Sequence, residues 1–169
     1  MRAILLVAAL VALGACQAEP SPAERKAADE RAIAQVEAAQ NVKPPVQPIE
    51  LEPITPEDIE ASRLAGAGCV LIPSDAGTRL PVLLLDGKRA SFKLSGRMQL
   101  LAGDPGSAKL PVETPSRYAG KKFAMVITKA DGTGERVGDQ LVRYPASVVI
   151  RDPWDQLVYK RDAALECQR

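Results

Sequence analysis

The chain has no histidine, and its aromatic set is two phenylalanines, three tyrosines and one tryptophan. Without histidine there is no Ser-His or Cys-His activation of a nucleophile and no His-ligated zinc. The commonest general base near neutral pH is missing too. So few aromatics exclude a stacking platform for single strands or sugars, and no nucleic-acid partner is expected. No Ser-x-x-Lys, Gly-x-Ser-x-Gly or phosphate-binding Gly-Lys loop occurs. Gly66-Ala67-Gly68 and Gly132-Thr133-Gly134 lack the third glycine of a dinucleotide fingerprint and read as a helix stop and a hairpin turn. No cofactor or metal is expected, and the chain reads as a non-enzyme.

What is present begins with an address. Met1-Arg2 carries the positive charge, Ala3 to Leu13 is uncharged and apolar, and Gly14-Ala15 is small. An apolar run of that length is too short for a resident membrane helix, which needs about twenty residues, and suits a signal peptide over 1–15. Leu13-Gly14-Ala15-Cys16 resembles the lipobox of bacterial lipoproteins. That resemblance implies a diacylglyceryl group on Cys16, cleavage before it, and palmitate-type acylation of the new amine. A thiolate is the nucleophile such a transfer needs, and two or three acyl chains anchor nearly permanently. In Gram-negative lipoproteins an aspartate after the cysteine retains the protein in the inner membrane. Gln17 stands there instead, so the expected location is the outer membrane, facing the periplasm.

Charge is split along the chain. Residues 17–60 carry ten acidic and four basic side chains, residues 61–169 eleven acidic and seventeen basic. Residues 16–55 read as a lipidated, flexible tether. Within it 23–40 is alanine-rich and mixed-charge, favouring a helix with a thin apolar stripe of Ile33 and Val36. Pro44, Pro45, Pro48, Pro53 and Pro56 then favour an extended run. Thr55-Pro56-Glu57-Asp58 is a helix start, predicting a short helix over 56–66.

From 67 to 169 the period becomes two. Cys69–Ile72, Pro81–Leu85, Ala90–Leu94, Met98–Leu101, Phe123–Thr128, Leu141–Tyr144, Ser147–Arg151 and Leu157–Lys160 read as strands, with Asp86-Gly87 a strong hairpin signal. The expected class is mainly β: a small antiparallel barrel or sandwich of about seven to eight strands. With Cys16 assigned to lipid, Cys69 and Cys167 remain, and in an oxidising compartment they are expected to bond.

Candidate sites are sparse. Arg89, Lys93 and Arg97 read as a basic stripe, extended by Lys121 and Lys122, for polyanion contact. Asp131, Glu135 and Asp139 miss the EF-hand spacing and read as a solvated turn. Asp152 and Asp155 flank Trp154, which reads as a turn around a buried indole or, alternatively, as a glycosidase-type carboxylate pair. The expectation is a membrane-anchored envelope protein with a binding or structural role, touching the bilayer through Cys16 and an envelope protein or polymer through its domain. Two alternatives stand beside it. One is a cell-wall hydrolase using Asp152 or Asp155. The other is an inhibitor similar in architecture to small bacterial lysozyme-inhibitor lipoproteins, a likeness carried by Cys69 and Cys167 alone, without that family's contact motif.

Overall fold

The computed structural model describes residues 20–40, 42–64, 66, 68–75 and 77–169. The expected signal peptide and Cys16 lie outside the described residues. Two compact units meet at residue 43, Met1–Lys43 and Pro44–Arg169. In the first, helix α1 spans Pro22–Gln40. A capping box starts it: Ser21 N–H donates to Glu24 Oε2 at 2.7 Å and Glu24 N–H to Ser21 Oγ at 3.2 Å. No residue of α1 is buried. Its Lys26–Glu30 pair at 3.9 Å is exposed on both sides, so it contributes only about 0.3 kcal/mol. Among the described residues no helix is long and apolar enough to cross a membrane.

The second unit holds helix α2 (Pro56–Ser62) and nine strands: β1 Cys69–Pro73, β2 Leu83–Leu85, β3 Arg89–Leu94, β4 Arg97–Gly103, β5 Arg117–Ala119, β6 Ala124–Lys129, β7 Glu135–Val137, β8 Leu141–Arg151 and β9 Leu157–Gln168. They pair antiparallel in the order β6-β5-β4-β3-β2-β1-β9-β8-β7, and β6 also pairs with β8. That last pairing closes eight strands into a barrel, with β7 as the extra one.

Alternation decides what faces inward. Ala90 and Phe92 of β3, Leu101 of β4, Tyr118 of β5, Met125 and Ile127 of β6, Val148 and Ile150 of β8 and Leu165 of β9 share one buried cluster. Phe123 meets Phe92 edge to face at 5.7 Å between ring centres, a favoured aromatic geometry. Turn chemistry sets the registers. Asp86 Oδ1 accepts from Lys88 N–H at 2.7 Å and Arg89 N–H at 2.6 Å, the side-chain turn that Asp-Gly signalled. Ser95 and Gly96, both at positive φ (50° and 70°), link Leu94 to its partner Arg97, as a type I′ hairpin turn requires.

Four sequence expectations are corrected. First, the extended run is not free as far as Thr55. Ile49 N–H donates to Val158 O at 3.0 Å, Glu52 N–H to Lys93 O at 3.0 Å and Ile54 N–H to Pro81 O at 2.8 Å. Ile49 and Leu51 pack on the barrel cluster, and Ile54 is wholly buried, which stabilises by about 1.5–3 kcal/mol. Ile54 and Leu64 lie with Leu84, Ile59, Val70 and Met98 in a second cluster. The strap and α2 thus cover the outside of the barrel over β1, β2 and β4. Second, α2 ends earlier than Gly66, with Arg63 as a left-handed cap. Third, Leu141–Tyr144 and Ser147–Arg151 are one strand. Pro145 fits inside it because its carbonyl accepts from Ala130 N–H at 2.8 Å. Its backbone edge faces the end of the β6 ladder, where the Ala130 carbonyl left without a proline N–H accepts from Lys129 Nζ at 2.7 Å instead. Fourth, the residues around Gly132 and Gly134 make an outward loop between β6 and β7, both of which pair with β8, and not a hairpin turn. At φ 76° a Cβ on Gly134 would stand 2.5 Å from Tyr144 Cε1, so only glycine fits there.

Candidate functional site

The cysteine pair is the clearest feature. Cys69 and Cys167 stand directly opposite on β1 and β9, and their sulfurs are bonded, joining positions 98 residues apart. Gln168 N–H donates to Gly68 O at 2.8 Å on the flanking pair, which makes the cysteines a non-hydrogen-bonded pair whose side chains come close.

The basic stripe does not form. Residues directly opposed on a ladder share a face, and Arg97 opposes Leu94, so it lies on the other face from Arg89 and Lys93. Arg89 is held by Asp86 at 3.3 Å. Lys93 Nζ donates to both oxygens of Asp58 at 2.8 and 2.9 Å, and both side chains are only 20% exposed. Lys121 and Lys122 are exposed at the tip between β5 and β6, where Gly120 N–H donates to Phe123 O at 2.8 Å. Only Arg97, Lys121 and Lys122 of the five remain without an ion pair among the described residues.

The Asp58–Lys93 contact fastens α2 to the barrel and titrates accordingly. The hydrogen bond from Lys93, helped by that from the Thr55 N–H, holds the Asp58 carboxyl below its ordinary 3.8. The same bond raises Lys93 above 10.5. A depressed carboxyl adds stability that is complete above its unfolded value and is lost as pH falls through the folded one. A raised ammonium adds stability that is complete below 10.5 and is lost as pH rises through its folded value. Asp58→Asn should therefore be less stable than wild type at neutral pH, and the two should converge below about pH 3.8. Urea unfolding between pH 2 and 7 checks this; equal acid slopes would refute the linkage.

Of the remaining candidate carboxylates, Asp152, Asp155 and Glu135 are engaged locally, whereas Asp131 and Asp139 have no partner among the described residues. Asp152 Oδ1 accepts from Trp154 N–H at 2.9 Å and Gln156 N–H at 2.8 Å, and its Oδ2 accepts from Gln156 Nε2 at 3.0 Å. Asp155 is 85% exposed, 3.6 Å from Arg151. Asp152 thus shapes the turn between β8 and β9. Trp154 is not buried, being 45% exposed, and lines a recess with Pro44, Pro45, Lys122 and Phe123. Glu135 is 3.9 Å from Arg143. Among the described residues no group of three metal-ligating side chains comes together.

Sequence reasoning missed one buried charge. Glu166, on the outer face of β9, is 7% exposed. Its Oε1 accepts from Arg143 Nε at 2.9 Å and Nη2 at 2.7 Å, with Arg79 at 3.7 Å. The signal was faint: Arg143 and Glu166 are cross-strand partners, legible only once register is known. Arg143 borders a shallow groove of about 670 Å³ whose walls include Pro145, Ala146, Ser147, Ala163 and Ala164. Such walls offer contact surface; Arg143 beside them is paired with Glu166 and Glu135, whereas exposed Asp162 has no ion pair among the described residues.

A second feature equally invisible in sequence lies along β4. Six of its seven residues, Arg97 to Ala102, pair with β3, but only Ala102 and Gly103 pair with β5. No family model matches this chain, and no curated protein or solved structure does.

Proposed function

We propose that this chain is a bacterial envelope lipoprotein, tethered by lipid on Cys16, that displays its disulfide-closed barrel into the periplasm as a binding or structural module. One observation carries the reading. Of three cysteines, Cys69 and Cys167 are joined to each other, and the one left over is the cysteine of the lipobox. A disulfide also suits an exported compartment, since cytosolic thiols are kept reduced. Lipid chemistry needs a free thiolate, and Cys16 alone has one to give. Gln17 in place of aspartate favours the outer membrane. A disulfide-closed barrel with exposed Arg97, Lys121 and Lys122, unpaired among the described residues, is suited to holding a partner.

The experiment is intact-mass measurement of the native protein together with palmitate labelling. The expected product begins at Cys16 with a diacylglyceryl modification. Cys16→Ala should lose all label and leave the membrane fraction. A native protein beginning at Met1, or unchanged labelling of the variant, would overturn the proposal.

A further inference from the structure

The β3–β4 hairpin overhangs the β5–β6 hairpin, and the overhang leaves one strand edge open. Gly103 N–H donates to Lys88 O at 2.7 Å, so Gly103 points its backbone groups at β3. Alternation then aims those of Leu101 and Gln99 at β3, and those of Ala102, Leu100 and Met98 the other way. On that side Asp104 N–H donates to Arg117 O at 2.9 Å and Ala102 pairs with Ala119. The next rung would join Leu100 to residue 121, but the chain turns back at Lys121 toward Phe123. Leu100 and Met98 consequently have no backbone partner on their outer edge among the described residues. The Leu100 side chain is 55% exposed beside this edge.

The charges at the two ends of the edge have one sign. Arg97 is exposed at its start. At its far end lie exposed Lys121 and Lys122, next to Gly120, where an added Cβ would stand 3.4 Å from Leu100 O. None of the three is ion-paired among the described residues. The nearby carboxylate of Glu52 is engaged by Gly96 N–H at 2.9 Å. A second copy of this chain is a poor occupant. Antiparallel self-pairing would bring Arg97 against the partner's lysine tip, and parallel pairing would set Arg97 against Arg97, repulsive in both cases.

We propose that the open edge of β4 at Met98 and Leu100 accepts, by strand addition, an extended polypeptide segment bearing carboxylates at its ends. Main-chain bonds to Met98 and Leu100 supply the attachment, and the flanking cations select the charge. The proposal rests on reading the barrel as a binding module and names its class of partner.

The test uses the full-length protein purified from membranes, with residue-resolved hydrogen–deuterium exchange. Without ligand, Met98 and Leu100 amides should exchange rapidly, while Gln99 and Leu101 are protected; protection of all four would show a covered edge and refute the proposal. The probe is a capped peptide of alternating valine and threonine with two glutamates at each end. It should slow exchange at Met98 and Leu100 at least tenfold, and a lysine-ended version should not. Leu100→Pro removes an N–H that serves no barrel bond. It should keep the wild-type unfolding midpoint and weaken the peptide at least tenfold. Equal binding of both peptides, undiminished binding to Leu100→Pro, or self-association without peptide would each overturn the proposal. The mass of Cys16 is read on the same preparation, so a failed edge and a failed anchor are told apart.

Discussion

Replacing Cys69 or Cys167 by serine, or reducing their bond, is expected to lower unfolding free energy by about 4–5 kcal/mol. The bond closes a loop of 98 residues, so the reduced unfolded chain regains nearly all its freedom. Small domains are stable by only about 5–15 kcal/mol in total, so the reduced protein should sit close to its unfolding transition at 37 °C. The bond joins β1 to β9, whose ladder runs from Cys69–Cys167 to Pro73–Ala163, and that ladder survives reduction as weaker fastening. Urea titration with and without reductant measures the difference. A loss below about 1 kcal/mol would mean that the unfolded chain is already compact without the cross-link.

The second large effect belongs to Arg143→Ala, expected to cost about 3 kcal/mol. The reason is what the substitution leaves behind: Glu166, 7% exposed, loses both hydrogen bonds from Arg143. Arg79 at 3.7 Å is itself 77% exposed and replaces little of that attraction, because exposed pairs are weak. Arg143→Ala with Glu166→Ala should therefore be more stable than Arg143→Ala alone. Chemical denaturation of the three variants gives the cycle. A double variant weaker than the single would show that packing of the arginine stem, and not its charge, is what matters.

Legibility in the sequence follows the range of the interaction. Asp86-Gly87 announces its hairpin because the turn is made by Asp86 itself. Ala90 and Phe92, and Met125 and Ile127, announce their faces because alternation is local. The mainly β class, as a small antiparallel barrel or sandwich of about seven to eight strands, accordingly lay within reach, as did the pairing of Cys69 with Cys167, whereas the three-residue β5 and β7 did not. Pro145 misled because its missing N–H is harmless only at the end of the β6 ladder, a fact of pairing and not of composition. The prolines of the strap misled likewise: they signal extension, and Ile49, Leu51 and Ile54 decide that the extended run is bound. Of the candidate contact residues, sequence grouped Arg89, Lys93 and Arg97 by spacing, whereas the tight Ser95-Gly96 turn puts Arg97 on a different strand and face. Asp58 was legible as a helix-start acid, not as the partner of Lys93, 35 positions away. The open edge at Leu100 was beyond reach, since it exists only because β5 is three residues long.

Because β1 is held between β2 and β9, the first strand of the barrel cannot find its second neighbour until β9, Leu157–Gln168, has followed. Until then β8 has no companion on its β9 side, and the oxidant has only Cys69 of the pair to act on. A chain stalled or clipped before β9 would present an unsealed, sticky ribbon. Closure is thus timed by β9, which brings the missing wall of the barrel and the second half of its latch together.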